Sequence, residues 1–107
     1  MGLINSLARM LGIRPVRTRA EKRIKILEIL NRGERAGRRT RQSLDQNGYG
    51  MNPAVFYQTC ARMEDDGLIE GWYVSRAIDG NKVMQRFHRI TDKGRKALEE
   101  SRKEVTS

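Results

Sequence analysis

Side chains with versatile chemistry are scarce in this 107-residue sequence, which contains one cysteine, Cys60, and one histidine, His88. A single cysteine cannot form an internal disulfide or a cysteine-based metal cage. His88 has no neighbouring group of cysteine, histidine or carboxylate ligands of the kind that a metal site needs. We therefore expect neither a metal nor any other cofactor.

Long apolar runs and catalytic motifs are also absent. No segment approaches the roughly 20 apolar residues that cross a bilayer, and no signal-peptide pattern occurs. Gly48 and Gly50 are turn glycines rather than a phosphate-cradling loop, and no nucleophile stands beside a plausible base. These absences argue against an enzyme and against a membrane partner. With the single cysteine, they fit a cytoplasmic protein, in a prokaryote or in the host cell of a virus.

What the sequence has in excess is positive charge. Its 22 Lys and Arg against 13 Asp and Glu give a formal net charge of +9. Clustered cations displace the counterions that condense on phosphates, so the charge of this small domain favours nucleic acid as its partner. A solubilising surface, or a contact with an acidic protein or a membrane, would also account for the charge.

The chain divides into an N-terminal segment, residues 1–17, and a domain, residues 18–107. Apolar residues recur in the first segment at helical spacing and predict a short amphipathic helix. A basic linker, RPVRTR, follows it. This helix offers a homodimer contact through Leu3, Leu7 and Leu11, and the C-terminal helix is the alternative dimer contact.

Two helices are predicted at the start of the domain. The first begins at Thr18, where Thr18 and Glu21 form a T-x-x-E capping box, and it ends at Gly33. The second lies in the arginine-rich segment 34–48, where Gly37 weakens it by about 1 kcal/mol relative to alanine. Its thin buried stripe repeats every four residues: Ala36, Thr40 and Leu44.

The third helix has strong local signals at both ends. Asn52 is a favoured N-cap, and Pro53 is favoured at the first helical position. Gly67 ends the helix. Its buried face consists of residues at helical spacings of four and three: Phe56, Cys60 and Met63.

After the third helix the hydrophobic period becomes that of strands. Segments 69–76 and 82–90 are rich in β-forming residues, and Asp79-Gly80 between them is a hairpin turn signal. We therefore expect a β-hairpin with a basic tip and flank.

Thr91 then caps a last helix in which Ala97 and Leu98 face inward. The order is helix, helix, turn, helix, hairpin, helix. The expected fold is mainly α (α+β): a winged helix-turn-helix with a three-helix core, a two-stranded β-hairpin wing and a C-terminal helix.

The stretch NPAVFYQTCARMEDDGLIE, residues 52–70, resembles the PadR family of transcriptional regulators. The residues that fit that pattern are Pro53, Tyr57, Met63, Glu64, Asp65, Asp66, Gly67 and Leu68. FHRITDKGRKALEE, residues 87–100, resembles the family's second block, which neighbouring winged-helix families share. The sequence departs from the family at His88, in place of a wing tyrosine, and in its arginine-rich second helix, in place of a Gly-Tyr motif. The resemblance implies a winged-helix regulator of transcription.

We expect residues 52–66 to enter the major groove of double-stranded DNA and the wing, residues 69–90, to follow the backbone. With the buried face at the core, a turn of 100° per residue directs a second face outward. On that outward face Gln58 can pair with adenine, and Arg62 at the edge of the face can pair with guanine or a phosphate. The candidate base contacts are Asn52, Ala54, Gln58, Ala61 and Arg62. The candidate backbone contacts are Arg38, Arg39, Arg41, Tyr57, Arg76, Lys82 and Arg86.

Two aromatic residues have two interpretations each. Tyr57 lies on a flank of the third helix, where it can pack against the domain or contact the DNA backbone. Trp72 can cap the core or lie at a dimer seam. Each single arginine also has the interpretation of a solvated surface charge.

Three acids, Glu64, Asp65 and Asp66, end the third helix. Acids there are unfavourable by ~0.3–1 kcal/mol each, because the helix C-terminus is already negative. We therefore expect ion pairs with nearby arginines or capping of backbone amides. Asp65 falls on the outward face, where it would repel phosphate.

Two other functions are compatible with the same fold. One is an architectural, recombination or replication accessory DNA-binding protein of a phage or mobile element. The other is a winged helix used for RNA or protein contact. Winged helices perform all of these tasks, so the fold alone does not choose among them.

Overall fold

The computed structural model describes residues 17–106, and the predicted amphipathic helix with Leu3, Leu7 and Leu11 lies outside them. The described part contains four helices and one three-stranded sheet in the predicted order, which confirms the winged helix-turn-helix. The elements are α1 (Arg19–Leu30), β1 (Arg35–Ala36), α2 (Gly37–Gln46), α3 (Pro53–Asp65), β2 (Ile69–Ile78), β3 (Asn81–Ile90) and α4 (Asp92–Thr106).

The helix starts follow the local sequence. Thr18 Oγ1 accepts the Glu21 amide at 3.1 Å while Glu21 Oε1 accepts the Thr18 amide at 3.3 Å, so the predicted capping box is confirmed. Asn52 Oδ1 accepts the Val55 amide at 2.8 Å, and a proline follows at the first helical position. Thr91 Oγ1 caps α4 by accepting the amide three residues on at 3.0 Å.

The core lies where α1, α2, α3, α4 and the base of the hairpin meet. The predicted buried faces of α2 and α3 are confirmed, because Leu44, Phe56, Cys60 and Met63 are each 1% exposed or less. Fully burying such an apolar side chain stabilises the fold by ~1.5–3 kcal/mol. The rest of the cluster is supplied by Ile26, Leu27, Ile29, Leu30, Ile69, Ile90 and Leu98.

The hairpin pairs β2 and β3 without interruption from Ile69–Ile90 to Ile78–Asn81. Asp79 and Gly80 both have positive φ, 52° and 78°. That combination is typical of a two-residue type I′ turn, whose twist matches that of the strands it joins. The turn prediction is confirmed, and the strands extend further toward it than the sequence indicated.

The segment 34–48 is not entirely helical as predicted. Arg35 and Ala36 form β1, which pairs antiparallel with His88 and Phe87 of β3 and adds a third strand to the predicted two. The helix therefore starts at Gly37, and the cost expected for a glycine inside a helix does not apply there. Instead, a Cβ at this position would lie 3.0 Å from the ring of Tyr57, so the glycine permits close packing of α2 on α3.

Candidate nucleic-acid interface

Four of the five candidate base contacts lie on α3, and the fifth, Asn52, is its N-cap, where its Oδ1 accepts the Val55 amide. Asn52, Ala54, Gln58, Ala61 and Arg62 are all exposed. The side chains of Gln58 and Arg62 make no hydrogen bond or ion pair with another residue of the described part. Two small alanines beside two unengaged polar groups leave a surface that can approach base edges closely.

Tyr57 packs against the domain and also remains partly exposed. Its ring meets Phe56 edge-on with centroids 5.0 Å apart, and its hydroxyl end lies over Gly37. The Arg41 guanidinium stands 5.9 Å from the ring centroid. With 38% of the residue exposed, the packing leaves part of Tyr57 on the surface of α3.

Five of the candidate backbone cations form no ion pair within residues 17–104. Arg38 and Arg39 are exposed in the first turn of α2, Arg41 is half-buried on the same helix, and Arg76 and Lys82 are exposed on the hairpin. Arg76 lies over the ring of Phe87, with 5.3 Å to its centroid. Their charges are therefore not neutralised by carboxylates of the described residues.

Arg86 differs from these five because it is bound to α3. Its Nη2 donates to Glu64 Oε1 at 2.5 Å, and its guanidinium lies 4.6 Å from the centroid of the Tyr73 ring. Gly71 makes room for this ion pair, since a Cβ there would come within 2.4 Å of the Glu64 oxygen. Arg86 thus ties the wing to the end of α3.

His88 is a buried part of the same cluster, at 1% exposure. Its ring meets Phe56 edge-on, and its Nε2 lies 3.9 Å from Glu64 Oε2. Burial lowers the pKa of His88, Glu64 opposes that shift, and Arg86 reinforces it. The imidazole is therefore neutral at neutral pH, and its Nδ1 has no hydrogen-bond partner among the described residues.

Cys60 lies close by in the core. Burial raises the pKa of its thiol to about 12, with a smaller contribution from Glu64. A thiol with that pKa stays protonated and unreactive at neutral pH. The described residues hold no group of three His, Cys, Asp or Glu that could bind a metal.

The ion pairs predicted for the acids that end α3 are confirmed for two of the three. Glu64 pairs with Arg86, and Asp66 Oδ2 accepts from Arg23 Nη2 at 2.8 Å. Asp65 is exposed and forms no ion pair with the described residues. The acids thus anchor the last turn of α3 to the wing and to α1, and Asp65 alone keeps an uncompensated charge.

Arg35 belongs to the arginine-rich segment but was not among the predicted backbone contacts. It lines an open concavity between α2 and the hairpin, and no local pattern indicated this, because β1 exists only by pairing with β3. Trp72 lies on the hairpin, where its ring stacks on that of Phe87 at 6.2 Å, outside the helical core.

The comparisons with known proteins agree with this geometry. A sequence profile of the transcriptional regulator PadR-like family matches residues 26–100. This chain belongs to the PadR-like family. Its members are transcriptional regulators rather than enzymes. Transcriptional regulator Rv3488 of Mycobacterium tuberculosis (strain ATCC 25618 / H37Rv) is 36% identical over 85 residues, which are 79% of this chain and 76% of that protein.

Solved PadR-like structures share the fold. The PadR-like regulator BC4206 of Bacillus cereus superposes with a TM-score of 0.64 at 26% identity, covering 77% of this chain and 78% of that one. Bacillus subtilis PadR, solved in complex with operator DNA, superposes with a TM-score of 0.60 at 21% identity. That match covers 73% of this chain and 44% of the PadR chain, so the likeness concerns less than half of that protein.

Within residues 17–106 no helix is both long enough and apolar enough to span a bilayer.

Proposed function

We propose that this PadR-like chain regulates transcription by binding double-stranded DNA at a specific sequence. The observation that carries the proposal is the outward face of α3, where the side chains of Gln58 and Arg62 have no hydrogen-bond or ion-pair partner among the described residues. In a winged helix this helix is the element that fits the major groove, ~12 Å wide. The Bacillus subtilis relative, which was solved with operator DNA, supports DNA as the partner.

In this proposal Gln58 and Arg62 read base edges. Gln58 pairs with adenine and Arg62 with guanine, while Ala54 and Ala61 allow the helix to approach. Asn52, at the helix start, completes the base-reading set: its Oδ1 caps the Val55 amide, so its Nδ2 is the group left to donate to a base.

The backbone contacts flank this face. Arg38, Arg39, Arg41 and Tyr57 contribute these contacts from the helices, and Arg76, Lys82 and Arg86 contribute them from the wing. Arg86 contributes less than the other cations, because Glu64 already neutralises it.

We also propose that the chain works as a homodimer in the cytoplasm. The contact lies in the N-terminal segment, through Leu3, Leu7 and Leu11, or in α4. A two-fold dimer would place two copies of α3 in successive major grooves, so the preferred DNA site would be a palindrome.

Selection of bound fragments from a random DNA pool tests the function. We expect one palindromic consensus, bound at least about 1,000-fold more tightly than random duplex at the same salt concentration. Gln58→Ala and Arg62→Ala should each relax the preference at one base position by ~1–3 kcal/mol. Gln46→Ala and Arg95→Ala remove the same groups from exposed positions elsewhere and should leave the preference intact.

Three results would reject the proposal in different ways. Equal affinity for every duplex would assign the chain to the architectural DNA binders. Preference for folded RNA over duplex in competition would assign it to RNA contact. A consensus that is unaffected by both α3 substitutions would reject α3 as the reading helix.

A further inference from the structure

An arginine pocket lies between α2 and the hairpin, beside the base-reading face rather than on it. Its cations are Arg35 from β1, Arg38 and Arg39 from the first turn of α2, and Arg76 from β2. It encloses about 600 Å³ and opens to solvent, and its lining is completed by Glu34, Ala36, Gln42, Gln85 and Phe87. Ligand pockets in proteins have volumes of ~300–1,000 Å³, so a group of substantial size fits here.

The charge in this pocket is not balanced by the described residues. The one acid in its lining, Glu34, is exposed and forms no ion pair with them, and neither do the four arginines. Four arginines that line one concavity raise its positive potential, because low-dielectric walls focus the field. Such an arrangement attracts an anion.

Two further features favour an oxyanion with several acceptor atoms. The start of α2 opens on the pocket and no side chain caps it, since its N-cap residue is Ala36. Uncapped amides at a helix start bind phosphates through hydrogen bonds and the helix dipole. In addition, Nε of Arg35 is buried and has no partner within the described part. The guanidinium fork matches phosphate geometry better than a lysine ammonium does.

We propose that the arginine pocket binds a backbone phosphate of DNA, with Arg35 contacting it from β1 and Arg76 from β2. The inference rests on the proposed function in one respect, that the phosphate belongs to DNA. Arg35 thereby becomes a DNA-contacting residue that no local sequence pattern indicated. A phosphate held here would fix the spacing between α2 and the wing and so the angle at which α3 enters the groove.

The test compares two double variants of the full chain on duplex DNA over a series of salt concentrations. In the pocket variant, Arg35→Gln is combined with Arg76→Gln. In the control, Arg95→Gln and Lys96→Gln remove the same charge from α4, which does not line the pocket. We expect the pocket variant to lose roughly tenfold to hundredfold in affinity for all sequences alike. The slope of log K against log salt should fall by about one unit for each phosphate contact that is lost. The control should lose much less.

A second measurement separates the pocket from the rest of the interface. Inorganic pyrophosphate should raise the melting temperature of the wild type and of Gln58→Ala, but not that of the pocket variant. Should Arg35→Gln disturb β1, Arg38→Gln combined with Arg76→Gln repeats the test with β1 intact. Arg35→Lys keeps the charge without the fork, so it should recover only part of the affinity.

Unchanged DNA affinity and salt slope in both pocket variants would overturn the proposal. If pyrophosphate binding were lost while DNA binding stayed intact, the pocket would belong to a free phosphate compound, and the DNA assignment would again be overturned. Failure of the proposed function looks different: wild type would bind all duplexes equally, while the pocket variant would still weaken that binding.

Discussion

The two faces of the hairpin carry arginines in opposite circumstances. Side chains alternate along a strand, so Arg86, which pairs across with Tyr73, and Arg76 lie on opposite faces. Arg86 is neutralised by Glu64 beside buried His88, whereas Arg76 and the other cations of the arginine pocket pair with no acid of the described residues. The same residue type thus holds the fold together on one face and is left for a partner on the other.

The largest effect is expected from Glu64→Gln, which removes the carboxylate partner of the half-buried Arg86. We expect the free energy of unfolding to fall by about 1–3 kcal/mol, because a charged hydrogen-bond partner is lost. Chemical denaturation measures the change. Glu70→Gln is the matched control: it breaks the cross-strand pair with Arg89, in which both side chains are more than half exposed, and should cost at most about 1 kcal/mol. Equal losses in the two variants would mean that the Glu64 pair has no special weight.

The next effect in size is a pH dependence of the free energy of unfolding. It comes from His88, which lies on the same face of the hairpin as Arg86. Since burial lowers the pKa of His88 in the folded chain, the unfolded chain takes up more protons as the pH falls below about 6.5. The free energy of unfolding should therefore decrease on acidification, by at most about 1.4 kcal/mol per pH unit from this residue. His88→Tyr should flatten the dependence in denaturation curves at about pH 7.5 and 5.5. If His88→Tyr left the pH dependence unchanged, that dependence would come from other titratable groups.

A smaller effect concerns Asp65, which forms no ion pair with the described residues. Asp65→Asn should raise DNA affinity by a few-fold at low salt, because it removes a negative charge from the outward face of α3. The gain should vanish at high salt, where exposed charges are screened. Binding curves at two salt concentrations measure it. Asp92→Asn, a removal of the same charge on α4, should change affinity less. An affinity that falls in Asp65→Asn would mean that this carboxylate accepts a bond from a base.

The smallest effect is expected in the arginine pocket of the free chain. Arg39→Gln should leave the free energy of unfolding unchanged or raise it by about 0.3 kcal/mol, because crowded like charges repel one another. Thermal melting at low salt checks the sign. Arg86→Gln removes the same group from the paired face and should destabilise. If Arg39→Gln also destabilised the fold, the arginine pocket would stabilise it as Arg86 does, and the contrast between the two faces would be lost.

Much of the architecture was predictable because its signals are local. The cap at Asn52, the turn at Asp79-Gly80 and the cap at Thr91 each depend on residues within one turn of chain. The buried face of α3 follows from helical spacing in the same way. The predicted charge pairs at the end of α3 needed only the knowledge that a helix C-terminus disfavours acids.

What the sequence did not reveal depends on residues far apart in the chain. Two residues cannot signal a strand, so β1 is evident only from its partner, β3. Arg76 and Arg86 are equivalent in the sequence, because their environments are set by the register of the hairpin. Gly37 was expected to weaken α2, but the close packing of Tyr57 requires a glycine at that position. Local chemistry therefore predicted the helices and the hairpin. Which arginines pair with a carboxylate is evident only from the folded domain.

The two-residue turn at Asp79-Gly80 limits how such a wing can change in evolution. Adding one residue to each strand would extend the tip by about 3.3 Å and exchange the side chains near the tip between the two faces. Only additions of two residues per strand preserve the faces, in steps of about 7 Å. The reach of this wing can therefore change in steps of about 7 Å without exchanging its two faces, and a shorter step keeps the faces only if a bulge accompanies it.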